Sequence, residues 1–195
     1  MKINLVSKSL ENYLLNKLSL DNIKNINIDE IEEISINAMD ESGKLNDYDF
    51  KDFEQFKNLK YVSLQNFIIN NYQTNALNRC KNIEGIQFSN CLIKSKSRLQ
   101  NNVKFISCNN CKKFKIYYVS LLKNLQILKV FNQKIVNLSG IISLKKLEKV
   151  YFENVLLLNF RKMQYLKNLT YIRLVKCKCN KLSEKRLASR IEIEK

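Results

Sequence analysis

The feature that most constrains this chain is a repeat. The segments FKNLKYVSLQN, CKNIEGIQFSN, LKNLQILKVFN, LKKLEKVYFEN and LKNLTYIRLVK align without gaps, and self-similarity at a fixed period of this length signals a stacked-repeat architecture. Written as L-x-x-L-x-x-L-x-L-x-x-(N/C), copies begin at Ile28, Phe56, Cys80, Gln100, Leu122, Leu144 and Leu166, with steps of 28, 24, 20, 22, 22 and 22 residues. Positions 1, 4, 7, 9 and 12 of the seven copies make 35 sites, of which 33 are apolar or Cys. Gln100 and Gln133 are the exceptions. At 45% hydrophobic content, chance would fill about 16, so the pattern is not a by-product of composition.

Positions 7 and 9 turn inward from one strand, while 1, 4, 12 and 14 fill the wedge behind it. A single copy cannot bury that face, so neighbours must stack. These residues resemble the leucine-rich-repeat family. The resemblance implies an α/β fold: a curved solenoid with a parallel β-sheet on the concave face, and it covers Ile28 to about Lys181. A period of 20 to 24 residues leaves little chain for the convex side and favours short 3₁₀ or extended segments there. The expected division is 1–27 as an N-terminal cap, 28–181 as about seven repeats and 182–195 as a C-terminal cap and basic tail.

Leu10, Tyr13, Leu14, Lys17 and Leu18 fall at helical spacing behind Ser9, so residues 9–19 are predicted to form an amphipathic capping helix with Ser9 as N-cap. The segment KLSEKRLASRIEIEK is polar and helical in composition and reads as a cap running into a mobile tail. The 22-residue spacing is similar to that of the short-repeat class containing the phosphatase-1 regulatory subunit, the dynein light-chain repeat protein, the spliceosomal A′ protein and the acidic leucine-rich nuclear phosphoproteins. IVNLSGIISLKKLEKVYF, KLSEKRLA and MDESGKLNDYDFKDFEQFKNL carry that likeness. The chain departs from it in lacking an acidic tail and the Asp expected after the final framework Leu.

Composition narrows the chemistry. There is no His, which excludes Ser-His and Cys-His nucleophile pairs and His-containing metal sites. Three scattered glycines, Gly43, Gly85 and Gly140, cannot build a phosphate-cradling loop. No catalytic residue and no cofactor is assigned. Neither a signal-peptide apolar stretch nor a run near the roughly 18 apolar residues of a membrane span is present, which leads to an expectation of an intracellular protein, cytoplasmic or, if eukaryotic, nuclear. Its six cysteines are then expected to be free thiols. Cys108-x-x-Cys111 and Cys177-x-Cys179 invite a metal or redox reading, but all six fall on inward repeat positions, where Cys packs as a small hydrophobe. Cys91, Cys108 and Cys111 lack a fourth ligand for zinc. Lys176, Lys178 and Lys181 around Cys177 and Cys179 would lower a thiol pKa if either were exposed, which keeps open a Cys-dependent enzyme.

The net charge of +16 is unevenly spread: residues 1–97 carry 12 basic and 13 acidic side chains, residues 98–195 carry 22 and 5. From Gly85 to Leu147 there are 12 Lys or Arg and no Asp or Glu. Asp40, Glu41, Asp47, Asp49, Asp52 and Glu54 gather in the first inter-repeat segment, lack calcium-loop spacing and read as a solvated loop. Asn66, Asn90, Asn110, Asn132 and Asn154 recur at position 11, where the chain leaves each strand, and are expected to satisfy backbone groups at the turn.

Positions 6, 8 and 10 face solvent on the concave sheet of such a fold. There the C-terminal repeats combine Phe105, Ile127, Phe131, Tyr151 and Tyr171 with Lys129, Lys149 and Arg173, and Tyr61 lies further back. Exposed apolar and aromatic residues beside cations are the composition of an interface. Lys112, Lys113, Lys115, Lys145, Lys146, Lys162 and Lys167 are expected to surround this face from loops and attract an acidic partner. The reading is a non-enzymatic interaction module for an acidic protein segment, with no membrane or small-molecule substrate. The alternative is nucleic-acid or ribonucleoprotein association through the basic half.

Overall fold

In the computed structural model, which describes residues 5–22, 24, 26–39, 43, 45–100, 102–179, 187 and 191–194, each of the seven repeats lays down one five-residue strand in the same phase. Along the chain come α1 (Lys8–Leu18), β1 (Glu33–Asn37), β2 (Tyr61–Gln65), β3 (Ile68–Ile69), α2 (Asn71–Arg79), β4 (Gly85–Ser89), β5 (Leu92–Ile93), β6 (Phe105–Asn109) and α3 (Ile116–Val119). There follow β7 (Ile127–Phe131), β8 (Ile135–Asn137), β9 (Lys149–Glu153), β10 (Leu156–Leu158), β11 (Tyr171–Val175) and β12 (Glu192–Glu194). Short 3₁₀ turns occupy Ile28–Glu30, Phe50–Gln55, Ile141–Ser143 and Phe160–Tyr165. The main sheet runs β1-β2-β4-β6-β7-β9-β11-β12 and is parallel throughout.

Strand pairing puts like positions of successive repeats side by side. Ile34, Val62, Ile86, Ile106, Leu128, Val150 and Ile172 form one buried row, and Ile36, Leu64, Phe88, Cys108, Val130, Phe152 and Leu174 form another. Parallel ladders hold neighbouring strands about 4.8 Å apart, so each side chain of a row packs on its own counterpart in the next repeat. One exception to the repeat pattern resolves itself: Gln100 is exposed and Leu99 takes the buried place beside it. The other, Gln133, is buried with its side-chain amide donating to the Phe131 carbonyl (3.3 Å).

Convex segments are mostly short, but α2 is a nine-residue α-helix with a full capping box between Asn70 and Gln73. Its repeat has the room, being two residues longer than the regular ones. Two small parallel ladders, β3–β5 and β8–β10, line the flank just beyond the carboxyl ends of the main strands.

The position-11 asparagines have a backbone reason. Asn66, Asn90, Asn110, Asn132 and Asn154 all sit at φ between 51° and 61°, the left-handed region that Asn tolerates better than other residues with a Cβ. This turn aims each N–H at the next strand, as when Asn154 donates to the Val175 carbonyl (2.9 Å). The side chains link as well, Asn110 to Asn90 (2.8 Å) and Asn154 to Asn132 (3.2 Å).

Both ends depart from the sequence reading. The N-terminal helix starts two residues early, with Ser7 as N-cap accepting from Leu10 N–H (3.1 Å). Ser9 instead exchanges hydrogen bonds with Asp47, whose carboxyl is held below its ordinary pKa by them. The acidic segment is therefore not a solvated loop. Asp52 is buried and accepts from the N–H groups of Val6 (3.0 Å) and Ser7 (2.9 Å), so it and Asp47 fasten the cap to the first repeats, while Glu54 pairs with Arg79 at the end of α2 (2.7 Å). Asp40 and Glu41 lie outside the described residues. Helix α1 also covers the outer edge of β1: the Tyr13 hydroxyl accepts from Ser35 N–H (2.9 Å) and Lys17 donates to the Glu33 carbonyl (2.8 Å). At the other end Glu192–Glu194, expected in a mobile tail, forms β12 and pairs with β11. Leu187 and Ile191 are buried beside it, which anchors the strand by apolar contact.

Two substitutions test this account. Leu147→Ala, at a fully buried position-4 site, should cost about 2–5 kcal/mol in chemical denaturation. Asn154→Val forces a β-branched residue into the left-handed region and should cost about 1–2 kcal/mol, whereas Asn154→Gly should be nearly neutral. Equal effects of Val and Gly there would refute the conformational explanation.

Candidate functional site

Register brings the solvent-facing positions of the concave sheet into rows as well. One row runs Tyr61, Gly85, Phe105, Ile127, Lys149, Tyr171; the next includes Ser107, Lys129, Tyr151 and Arg173. Tyr61 is 47% exposed, and Lys149 and Arg173 are exposed. Phe105, Ile127, Lys129, Phe131, Tyr151 and Tyr171 are half-buried, because neighbours in the row lean on one another. Val150 and Phe152, flanking Tyr151, are buried.

The aromatic and cationic side chains interlock. The Lys129 ammonium lies 5.3 Å from the Phe105 ring centroid and 5.1 Å from that of Tyr151, placing it between two π-faces. Tyr151 in turn meets Tyr171 at 5.4 Å between centroids. Tyr61 stands apart from this cluster, across Gly85. A Cβ on Gly85 would fall 2.7 Å from the Tyr61 ring, so the glycine is what lets the Tyr61 and Phe105 rings close over the strand between them.

Sequence reasoning missed one participant. Strand β12 places Glu194 beside Arg173 in register, and its carboxylate accepts from Arg173 Nε (3.1 Å) and from the Tyr171 hydroxyl. That hydrogen bond to the carboxylate pushes the Tyr171 phenol up to about 12. No signal in the repeat pattern pointed to Glu194, because it lies after the last copy.

Some of the surrounding lysines are elsewhere. Lys112, Lys113 and Lys115 line a cleft on the flank, together with Lys134. Lys162 stands over Tyr165 (5.7 Å) in the last 3₁₀ turn.

The cysteines do not make a second site. Cys80, Cys91, Cys108 and Cys111 are buried, whereas Cys177 and Cys179 are half-buried, so the expectation that all six point fully inward fails at the last repeat, where no further repeat covers them. Burial pushes the Cys80 thiol up to about 12, and Cys111 rises to about 12 chiefly through its hydrogen bond with Cys108. Cys177 is also raised, by burial, and its thiol donates to the Val175 carbonyl (3.3 Å). The neighbouring lysines do not outweigh that, contrary to the activation considered from sequence. Among the described residues no group of three or more side chains is placed to hold a metal ion, and no helix is long and apolar enough to cross a membrane.

The Tyr171–Glu194 pair yields a titration test. The phenol's folded pKa is raised, so the pair's contribution is present below the ordinary tyrosine value near 10 and is lost as pH rises through about 12. Glu194→Gln should bring Tyr171 back toward 10 in ring-carbon NMR titrations. An unchanged value would show that the carboxylate is not its partner.

No protein-family model matches the chain, and no curated protein matches it in sequence. Solved structures do. An internalin C2 (inlC2) from Listeria monocytogenes aligns with TM-score 0.56 and 15% identity, over 99% of this chain and 94% of that one. An internalin (inlF) from the same organism aligns at TM-score 0.36 and 10% identity, over 97% and 75%. Repeat pattern, parallel sheet and the inlC2 likeness together establish the fold as a mixed α/β leucine-rich-repeat solenoid.

Proposed function

We propose that this solenoid is a non-enzymatic protein-binding module whose concave face receives an acidic segment of a partner protein. The observation that carries the reading is the cluster on β6–β11: Lys129 between the Phe105 and Tyr151 rings, Tyr171 in tilted ring contact with Tyr151, and Arg173 in the row of Lys129 and Tyr151. Partly exposed aromatic rings supply contact area at low entropy cost, and Arg supplies directed hydrogen bonds, which is why these residue types dominate interface energetics.

Glu194 illustrates the chemistry the face accepts: a carboxylate bound at once by a guanidinium and a phenol. That internal pair is about half exposed on both sides, and ion pairs so exposed contribute only about 0–1 kcal/mol. A partner carboxylate therefore exchanges with Glu194 at little cost. The excess of cations in residues 98–195 adds long-range attraction for the same partner. The run of 22-residue steps supports placing the chain in a short-repeat class of this fold, and the intracellular location expected from sequence belongs to the same proposal.

Tyr151→Ala and Arg173→Glu change side chains outside the buried rows, so both variants should remain folded, with a cooperative unfolding transition. Each should lose partner proteins recovered by affinity capture and mass spectrometry. Retention of the complete partner set by both variants would exclude the concave face.

A further inference from the structure

The flank of the solenoid carries a second, separate candidate. On this side β3 pairs with β5, and β5 pairs on to Lys112: Ile93 N–H donates to the Lys112 carbonyl (2.9 Å) and Lys112 N–H to the Cys91 carbonyl (2.8 Å). Further along, β8 pairs with β10, and Leu157 N–H donates to the Lys178 carbonyl (2.8 Å). Between Lys112 and β8 the ladder stops; among the described residues no bridge joins them. The cause is local. Lys113 sits at φ 62°, which turns the chain out of the extended conformation where its neighbours in the row continue it.

The interruption opens a cleft of about 950 Å³ between the fourth and fifth repeats. It is closed at one end by the main sheet, where Asn110 N–H donates to the Phe131 carbonyl (3.0 Å). At the other end a Cβ on Gly140 would lie 3.7 Å from Ile116, so the walls meet there. One wall is the open edge of β8. Leu156 is the register partner of Ile135 and bonds the Lys134 carbonyl, so by the alternation of a parallel ladder Ile135 turns its own N–H and C=O away from β10, toward the cleft. Its side chain is also 47% exposed.

The charge of the cleft is of one sign. Lys112, Lys113, Lys115 and Lys134 line it, and the stretch from Gly85 to Leu147 contains no acid to neutralise them. Tyr117, 55% exposed, adds an aromatic surface.

We propose that this cleft binds an extended acidic peptide segment of a protein as an added strand on β8, with the peptide's carboxylates against Lys112, Lys113, Lys115 and Lys134. An open strand edge selects a ligand with its own alternating N–H and C=O groups, which a polypeptide has and a nucleic-acid backbone lacks. Cations spread along both walls suit charges spaced along a chain rather than one compact anion. The site shares no residue with the concave cluster, so it stands or falls independently of it.

The test uses a fluorescein-labelled octapeptide of alternating Glu and Val and the full-length protein at low salt. Saturable binding is expected, weakened about tenfold or more in the double variant Lys115→Glu/Lys134→Glu. Ile135→Pro, which removes the edge N–H without touching the bonds to β10, should weaken it similarly. Amide exchange at Ile135 reports the flank whatever acidic peptide the concave face also takes, and it should slow when peptide is added to the wild-type protein and not when it is added to Lys115→Glu/Lys134→Glu. No binding overturns the proposal, as does equal binding by a peptide N-methylated at alternate residues. So does loss of binding in the concave variants in place of the flank variants, or an Ile135 exchange rate indifferent to peptide. Capture of pyrophosphate or of a uridine oligonucleotide, with none of the peptide, equally overturns it.

Discussion

The parallel register of the concave strands is the constraint on which the rest depends. Once position 7 of one repeat lies beside position 7 of the next, the buried rows from Ile34 to Ile172 and from Ile36 to Leu174 follow, and so does the outward row containing Lys129, Tyr151 and Arg173. A slip of one residue would exchange core for surface along the whole strand. The left-handed asparagines help fix that register, because each hands its N–H to the neighbouring strand at the same place in the turn.

A ladder of this kind has two exposed ends, and each is closed by different chemistry. At β1 the cover is a helix, held by Tyr13 and Lys17 on the strand edge and by buried Asp52 on the chain leading into it. At β11 it is another strand, which brings two glutamates to the most basic part of the molecule. The same segment thus both extends the sheet and partly neutralises the face beside it, with Glu194 on Arg173 and Tyr171. Closure of the edge and tuning of the surface are in this way coupled.

The repeat pattern made the core legible in advance, down to which residue of Val150, Tyr151 and Phe152 would face out. It was less informative where a residue's role depends on something outside its own repeat. Asp47 and Asp52 read as loop acids because the groups they bind, near Ser7 and Ser9, lie about forty residues earlier in the chain. Lys112 and Lys113 read as part of a basic rim because nothing in the sequence announces that Lys113 turns left-handed and opens the flank. The lysines around Cys177 would have lowered its thiol pKa had it been exposed, whereas its half-buried position raises it.

The sequence by itself determined the inward rows, since an apolar residue recurring every 22 positions has only a stack of its own copies to pack against. It also determined that the cations concentrate in the second half of the chain. Only the tertiary structure decided which cations share a surface: Lys129 was set between two rings contributed by neighbouring strands, and Lys134 was turned into a cleft with Lys112. The reason is that the period fixes what must be buried, while the side chains left outside are placed by contacts between repeats and at the ends of the stack, which no single repeat encodes.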